Sequence, residues 1–272
     1  MEHAASELVP VAVTRVSYLW LIPFFPMVGA IINTLLGYRL QRLFGERPEM
    51  KGGRGKQLVH SIAVTMMALA FATAVYAFVQ LRALPAEGRF LQQTLWNLLS
   101  AGRLTVDFAF GLDQLSMMMV LIITGIGTLI HVFSIGYMAE EPAYWRFFAY
   151  LNLFVFAMLL LVMGDNFAVM FFGWEGVGLA SYLLIAFWYT DPEKAKAGMK
   201  AFVANRFGDF GFIVGLLFLF WGLGGAWEAR QGAVRNLTYL PNVELHTVSG
   251  GPNAATADAL APRVEGVKVG PT

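Results

Sequence analysis

Long apolar runs, broken by short polar or basic stretches, set the pattern of this chain. Six runs satisfy the roughly 17 to 25 mostly apolar residues needed to cross a bilayer, at about residues 17–37, 58–81, 113–138, 147–164, 167–189 and 199–223. Leu, Phe, Met and Trp fill these runs without alternating with polar residues, so they predict helices and not barrel strands. The fourth and fifth runs are separated only by Gly164, Asp165 and Asn166, which requires an antiparallel hairpin. From Gly224 to Thr272 the chain turns to Gly, Ala, Pro, Asn and Thr, and no run there approaches a span. That stretch predicts a polar loop or disordered extension, following a transmembrane domain over residues 1–223.

Composition agrees with the pattern: 57 % of residues are hydrophobic and 14 % are charged, too little polar surface to coat a soluble globule. The expected fold class is an all-α, polytopic integral membrane protein with the lipid bilayer as its solvent. The N-terminal sequence lacks the basic region and cleavage site of a secretory signal, so the first span is expected to remain as an anchor. Orientation follows from basic residues in the short loops. Arg39, Arg42, Arg47, Lys51, Arg54 and Lys56 flank or fill the first loop, and Lys194 and Lys196 follow the fifth span. The positive-inside rule places both in the cytoplasm, with the N-terminus, residues 82–112 and the tail on the other side. Arg82, Arg89 and Arg103 dilute this asymmetry in a longer, less basic loop.

Several chemistries are excluded at this level. The chain has no cysteine, which removes thiolate-held iron–sulfur clusters, disulfides, Cys-based zinc sites and a Cys nucleophile. His3, His60, His131 and His246 show no ligand spacing, so no metal site is expected, and no cofactor is expected in this chain. No basic stripe interleaved with aromatics supports nucleic-acid binding. Asp209-Phe210-Gly211 spells a kinase motif but falls inside a span without the accompanying loops. The run GWEGVG follows no strand and lacks dinucleotide-fold spacing.

Chemistry concentrates at a few charged positions inside the spans. Glu175 lies eight residues after Phe167, roughly 12 Å into a hydrocarbon core about 30 Å thick. A bare carboxylate there costs several kcal/mol, and such groups usually take a partner and mark an ion or proton path. The sixth span carries Lys200, Arg206 and Asp209. Arg206 and Asp209, three residues apart, share a helix face and are expected to pair, either as helix glue or as part of a relay. Asp209 is expected at a depth similar to Glu175. Lys200 is placed near the cytoplasmic edge, where its stem can snorkel. His131, in the third span, titrates near neutrality and is a candidate shuttle or a hydrogen-bonded core residue. Gly173, Gly176 and Gly178 around Glu175 favour close helix packing. Asp113 is the expected N-cap of the third helix, and Met117, Met118 and Met119 read as apolar filler.

The segments RFFAYLNLFVFAMLLLVMGDNFAVMFFGWEGVGLASYLLIAFWY at 146–189, AFVANRFGDFG at 201–211 and LDQLSMMMVLIITGIGTLIHVFSIGYM at 112–138 closely resemble the antiporter-like subunit L family of NADH-quinone oxidoreductase, respiratory complex I. The large subunits of multisubunit sodium/proton antiporters are similar in this core. The resemblance implies that Glu175 is the family's fifth-helix proton-translocating glutamate and that Asp209 is a second functional acid; Lys200, Arg206 and His131 remain supporting candidates from their positions in the spans. It implies a multi-pass protein of the cell inner membrane, with other membrane-arm subunits as partners and electrons carried by other chains. Members of the family continue through further helices, including a lysine that partners the fifth-helix glutamate. This chain is therefore expected to be an N-terminal portion that needs the C-terminal half for a complete path. The rival readings are a sodium/proton antiporter component outside a redox complex and a non-transporting structural or assembly fragment.

Overall fold

A computed structural model describes residues 13–42, 53–85, 89–101 and 104–222. Six helices long and apolar enough to cross a membrane account for most of them: α1 Leu21–Arg42, α2 Arg54–Ala83, α3 Gln114–Tyr137, α4 Tyr144–Met163, α5 Phe167–Ile185 and α6 Pro192–Gly222. The expected helical membrane fold is thus present, with shifted ends. Helices α1 and α2 run beyond the apolar windows to include Arg39, Arg42 and Arg54, because exposed charged side chains at a helix end keep helical backbone while reaching polar surroundings, and Lys56, which is buried and takes a carbonyl partner. Helix α6 begins seven residues before the expected Met199, on the solvated turn Pro192-Glu193-Lys194. Helix α5 stops at Ile185, earlier than expected. There the chain turns so that Phe187 enters the core and its carbonyl accepts from Arg146 Nη2 at 2.9 Å.

Helix α4 is the centre of the bundle and packs against α1, α2, α3 and α5. The seam of α2 shows why the helices approach closely. Ala63, Met67, Ala70, Ala74, Ala77 and Leu81 recur at alternating spacings of four and three, and all are buried, so one face of small side chains lets neighbouring backbones come near. One apolar cluster gathers Leu19, Ile22, Met67, Leu91, Phe110, Leu112, Met117, Leu159 and Met163. A second, at the opposite end of α2 and α4, joins Val59, Ala63, Met138, Tyr144, Phe148 and Phe187. Lys56 Nζ donates to the Ala139 carbonyl at 2.7 Å beside that second cluster, satisfying a carbonyl just past the end of α3.

Residues 82–112, expected only to lie opposite the basic loop, contain a sheet. Strand β1, Val13–Arg15, runs parallel to β2, Phe90–Ala101, which pairs antiparallel with β3, Leu104–Leu112, in the order β1-β2-β3. The register aligns Leu91 with Leu112 and Gln92 with Gly111, and irregularities at Thr94/Trp96 and Asn97/Leu99 bend β2. The sheet is fastened to the α4–α5 turn. Asp165 N–H donates to Ala109 O at 3.0 Å, Gln92 Nε2 donates to Asp165 Oδ2 at 2.5 Å, and Asn166 Nδ2 donates to Asp107 O at 2.6 Å. Asn166 also caps α5, accepting from Val169 N–H at 3.0 Å. The expected cap at Asp113 is present as a capping box with Ser116, with bonds of 2.7 and 2.8 Å. Strand β1, the β2–β3 hairpin and the α4–α5 turn therefore lie at one end of the bundle, as the alternation of spans requires. The α3–α4 and α5–α6 turns lie at the other end. The tail 224–272 and the basic residues Arg47 and Lys51 fall outside the described residues.

Candidate proton site between α5 and α6

Helices α5 and α6 pack antiparallel, and their facing residues fix the alignment. The Tyr182 and Phe202 rings meet at 5.3 Å near one end, and Phe171 stacks on Phe212 at 5.4 Å near the other. Between these two contacts lie all the charged residues of the site. Arg206 Nη1 donates to Glu175 Oε2, and the same nitrogen is 3.3 Å from Asp209 Oδ2. The guanidinium also lies over the Phe202 ring, 4.4 Å from its centroid. One cation is therefore shared by two acids from two helices. The Arg206–Asp209 pair follows from their i, i+3 spacing; the Glu175 link adds the interhelical contact that spacing on one helix cannot reveal.

The two acids differ in surroundings. Asp209 is buried at 6 % exposure, and its other oxygen, Oδ1, accepts from Trp174 Nε1 at 2.6 Å. The Glu175 side chain keeps 26 % exposure and that of Arg206 42 %. Asp209 is the buried carboxylate, with a contact on each oxygen, while Glu175 is the more accessible. Trp174 is the member of this group that charge-based sequence reading passes over. Its signal in the sequence is only its position beside Glu175.

Lys200 stands exposed on α6, level with the end of α5: nearby Gly198 abuts Ala186, and Phe202 meets Tyr182. It does not join the Glu175 cluster. Nor does His131, which is buried on α3 against α4, its ring 6.3 Å from that of Phe148. His131 Nδ1 lies 2.7 Å from the Gly127 carbonyl, which only accepts, so Nδ1 carries a proton, and Nε2 has no partner among the described residues. At the α5–α6 turn, the Glu193 N–H and then the Lys194 ammonium hold the Asp191 carboxyl below the usual carboxylate range. Among the described residues no cluster of three or more His, Cys, Asp or Glu has metal-binding geometry.

Gly173 and Gly176 let α5 press against α4. A Cβ at Gly173 would meet the Leu161 backbone nitrogen at 2.2 Å, and one at Gly176 would meet Ala157 Cβ at 2.8 Å. Gly178 faces α6, where the nearest atom, Asn205 Nδ2, is 3.6 Å away. The outward face of α6 carries Phe207, Phe210, Leu217 and Phe218, all strongly exposed among the described residues.

Comparison with known proteins identifies the family of the chain. Residues 96–148 match the family described as NADH-ubiquinone oxidoreductase (complex I), chain 5 N-terminus, and residues 164–237 match the transmembrane family of NADH:quinone oxidoreductase and Mrp antiporters. NADH-quinone oxidoreductase subunit L of Mycobacterium tuberculosis is 44 % identical over 203 residues, covering 75 % of this chain and 30 % of that protein. The subunit L of Neisseria meningitidis serogroup B is 34 % identical over 229 residues, covering 84 % of this chain and 31 % of the relative. A chain of the membrane-bound sulfane sulfur reductase, an archaeal respiratory membrane complex, shares the fold with a TM-score of 0.57 at 18 % identity, covering 76 % of this chain and 37 % of that one. The chain spans about three tenths of the length of the curated relatives it matches. It belongs to the family of the antiporter-like subunit L, or chain 5, of NADH-quinone oxidoreductase.

Proposed function

We infer that the chain forms part of a proton-translocating membrane-arm subunit of NADH-quinone oxidoreductase, in which Glu175 takes up and releases the proton. The observation that carries this reading is the sharing of Arg206 between Glu175 and Asp209. With both acids ionised, one guanidinium serves two negative charges, and the cluster carries a net charge of −1. A proton on Glu175 removes that excess and leaves Arg206 to Asp209. Deprotonation restores the competition. Proton exchange on Glu175 is thereby tied to the position of a cation, and movement of a further cation toward the cluster favours release. Asp209, doubly bonded, is the electrostatic anchor. Lys200 and His131 support the path from outside this cluster, Lys200 at the membrane edge and His131 within the α3–α4 seam.

The rest of the subunit and the other membrane-arm subunits would supply the remaining path, in the cell inner membrane. Redox cofactors belong to other chains, in keeping with the lack of cysteine here. The second family description also names Mrp antiporters, so the same cluster would serve sodium/proton exchange if the chain assembles outside a redox complex.

The test is Glu175→Gln, which keeps shape and hydrogen bonding but cannot exchange a proton. Proton pumping during NADH oxidation is measured in membrane vesicles, with assembly checked separately. The reading expects normal assembly and loss of most pumping. Normal pumping in the variant refutes it.

A further inference from the structure

Trp174 carries no charge, yet it bonds to the acid on the opposite helix. Successive side chains on a helix point about 100° apart, so Glu175 and Trp174 address different points of α6. Glu175 meets Arg206, and Trp174 Nε1 meets Asp209 Oδ1 at 2.6 Å, three residues further along. The indole is held in that orientation by stacking. Its ring lies 6.2 Å from that of Phe212 at an interplanar angle of 19°, and Phe171 stacks on the same Phe212 at 5.4 Å and 17°.

The consequence lies in how Asp209 divides its oxygens. The indole N–H holds Oδ1 on its own side of the carboxylate, and that rotation presents Oδ2 to Arg206, at 3.3 Å. Guanidinium and carboxylate otherwise favour a two-pronged pair, and Arg206 is in reach on the same helix face. A buried carboxylate that lost its indole donor would have an unsatisfied oxygen and a strong reason to draw both guanidinium nitrogens to itself.

The geometry points to Trp174 as a positioning residue of the proton site: by anchoring Asp209 Oδ1 it sets the rotation of the carboxylate so that Oδ2 meets Arg206, and it keeps Arg206 shared with Glu175. The inference rests on the reading of Glu175 as the proton-exchanging group, and its test is arranged to separate the two.

Trp174→Phe retains a ring for stacking on Phe212 and removes the N–H, whereas Trp174→Leu removes both. Each variant is assayed in vesicles for protons pumped per NADH oxidised, with the chain in its native assembly, alongside Glu175→Gln. Phe and Leu are expected to lower pumping alike, several-fold, at unchanged assembly. A structure of the Trp174→Phe assembly is expected to show Arg206 paired through two nitrogens to Asp209 and withdrawn from Glu175. Should the Phe variant fail to accumulate, benzothienylalanine at position 174 keeps the bicyclic shape with sulfur in place of N–H and is read the same way. Pumping at the wild-type level in the Phe variant, with loss only in Leu, would show that the ring packs and the N–H does not matter, and so would an unmoved Arg206. If those results appear while Glu175→Gln abolishes pumping, the positioning role alone fails. If Glu175→Gln pumps normally, the underlying reading fails.

Discussion

Gly173→Ala tests the packing that carries the site. The added Cβ would lie 2.2 Å from Leu161 N, 2.6 Å from Leu161 Cα and 2.8 Å from Leu160 C, all backbone atoms of α4. Ordinary contact begins at 3.4 Å, so restoring it requires α4 and α5 to separate by about 1.2 Å, the difference from the closest approach. No side chain can rotate away to relieve the clash. Overpacking of this kind costs about 1–3 kcal/mol in ordinary cores and more where backbone is the obstacle. The opposing gain from replacing a helical glycine with alanine is only about 1 kcal/mol. Gly176→Ala needs a smaller adjustment, since its Cβ would meet Ala157 Cβ at 2.8 Å, and Gly178→Ala needs none, with its nearest atom at 3.6 Å. The expected order of thermal stability of the purified chain is therefore Gly178→Ala at or above wild type, then Gly176→Ala, then Gly173→Ala. The level of each variant in the membrane should follow the same order. Because α6 packs on α5 rather than on α4, the Glu175–Arg206 contact should move with α5 and survive. A Gly173→Ala protein as stable as wild type refutes the argument that α4 and α5 meet backbone to backbone.

Two further outcomes follow. A cysteine at Gly53 should react with an impermeant thiol reagent from the cytoplasmic side only, and one at Ser100, on the hairpin at the other end of the bundle, from the opposite side only; labelling of both from one side contradicts the topology. Asn166→Ala removes the α5 cap, worth about 1 kcal/mol, together with the bond to Asp107 O, while Asn166→Ser keeps a cap acceptor and loses the amide donor. Thermal unfolding should rank wild type above Ser and Ser above Ala, and equal stability of all three refutes the clamp.

The helices were legible because hydropathy over some twenty residues is a strong local signal, and the Gly164-Asp165-Asn166 turn left no alternative to a hairpin. Helix ends were less legible. Lys194 and Lys196 lower the apolar average without interrupting the backbone hydrogen bonds of α6. The sheet at residues 90–112 was missed, although the alternation in Leu104-Thr105-Val106-Asp107-Phe108-Ala109-Phe110 is a period-2 signal. It is a short signal beside long apolar spans, and β1 joins through a parallel pairing with residues more than seventy positions away. At the site, the i, i+3 spacing of Arg206 and Asp209 was visible in sequence. The link from Arg206 to Glu175 and the bond from Trp174 to Asp209 depend on the relative rotation of α5 and α6, which no single helix encodes.

The central claim is that Glu175 itself changes protonation during turnover. Redox-triggered infrared difference spectroscopy of the assembled complex, with isotope-labelled glutamate, reads this directly as gain and loss of a protonated-carboxyl band. The account predicts a glutamate band that appears and decays with turnover in wild type and is absent from Glu175→Gln. No turnover-dependent glutamate band, or one that persists unchanged in Glu175→Gln, would contradict it.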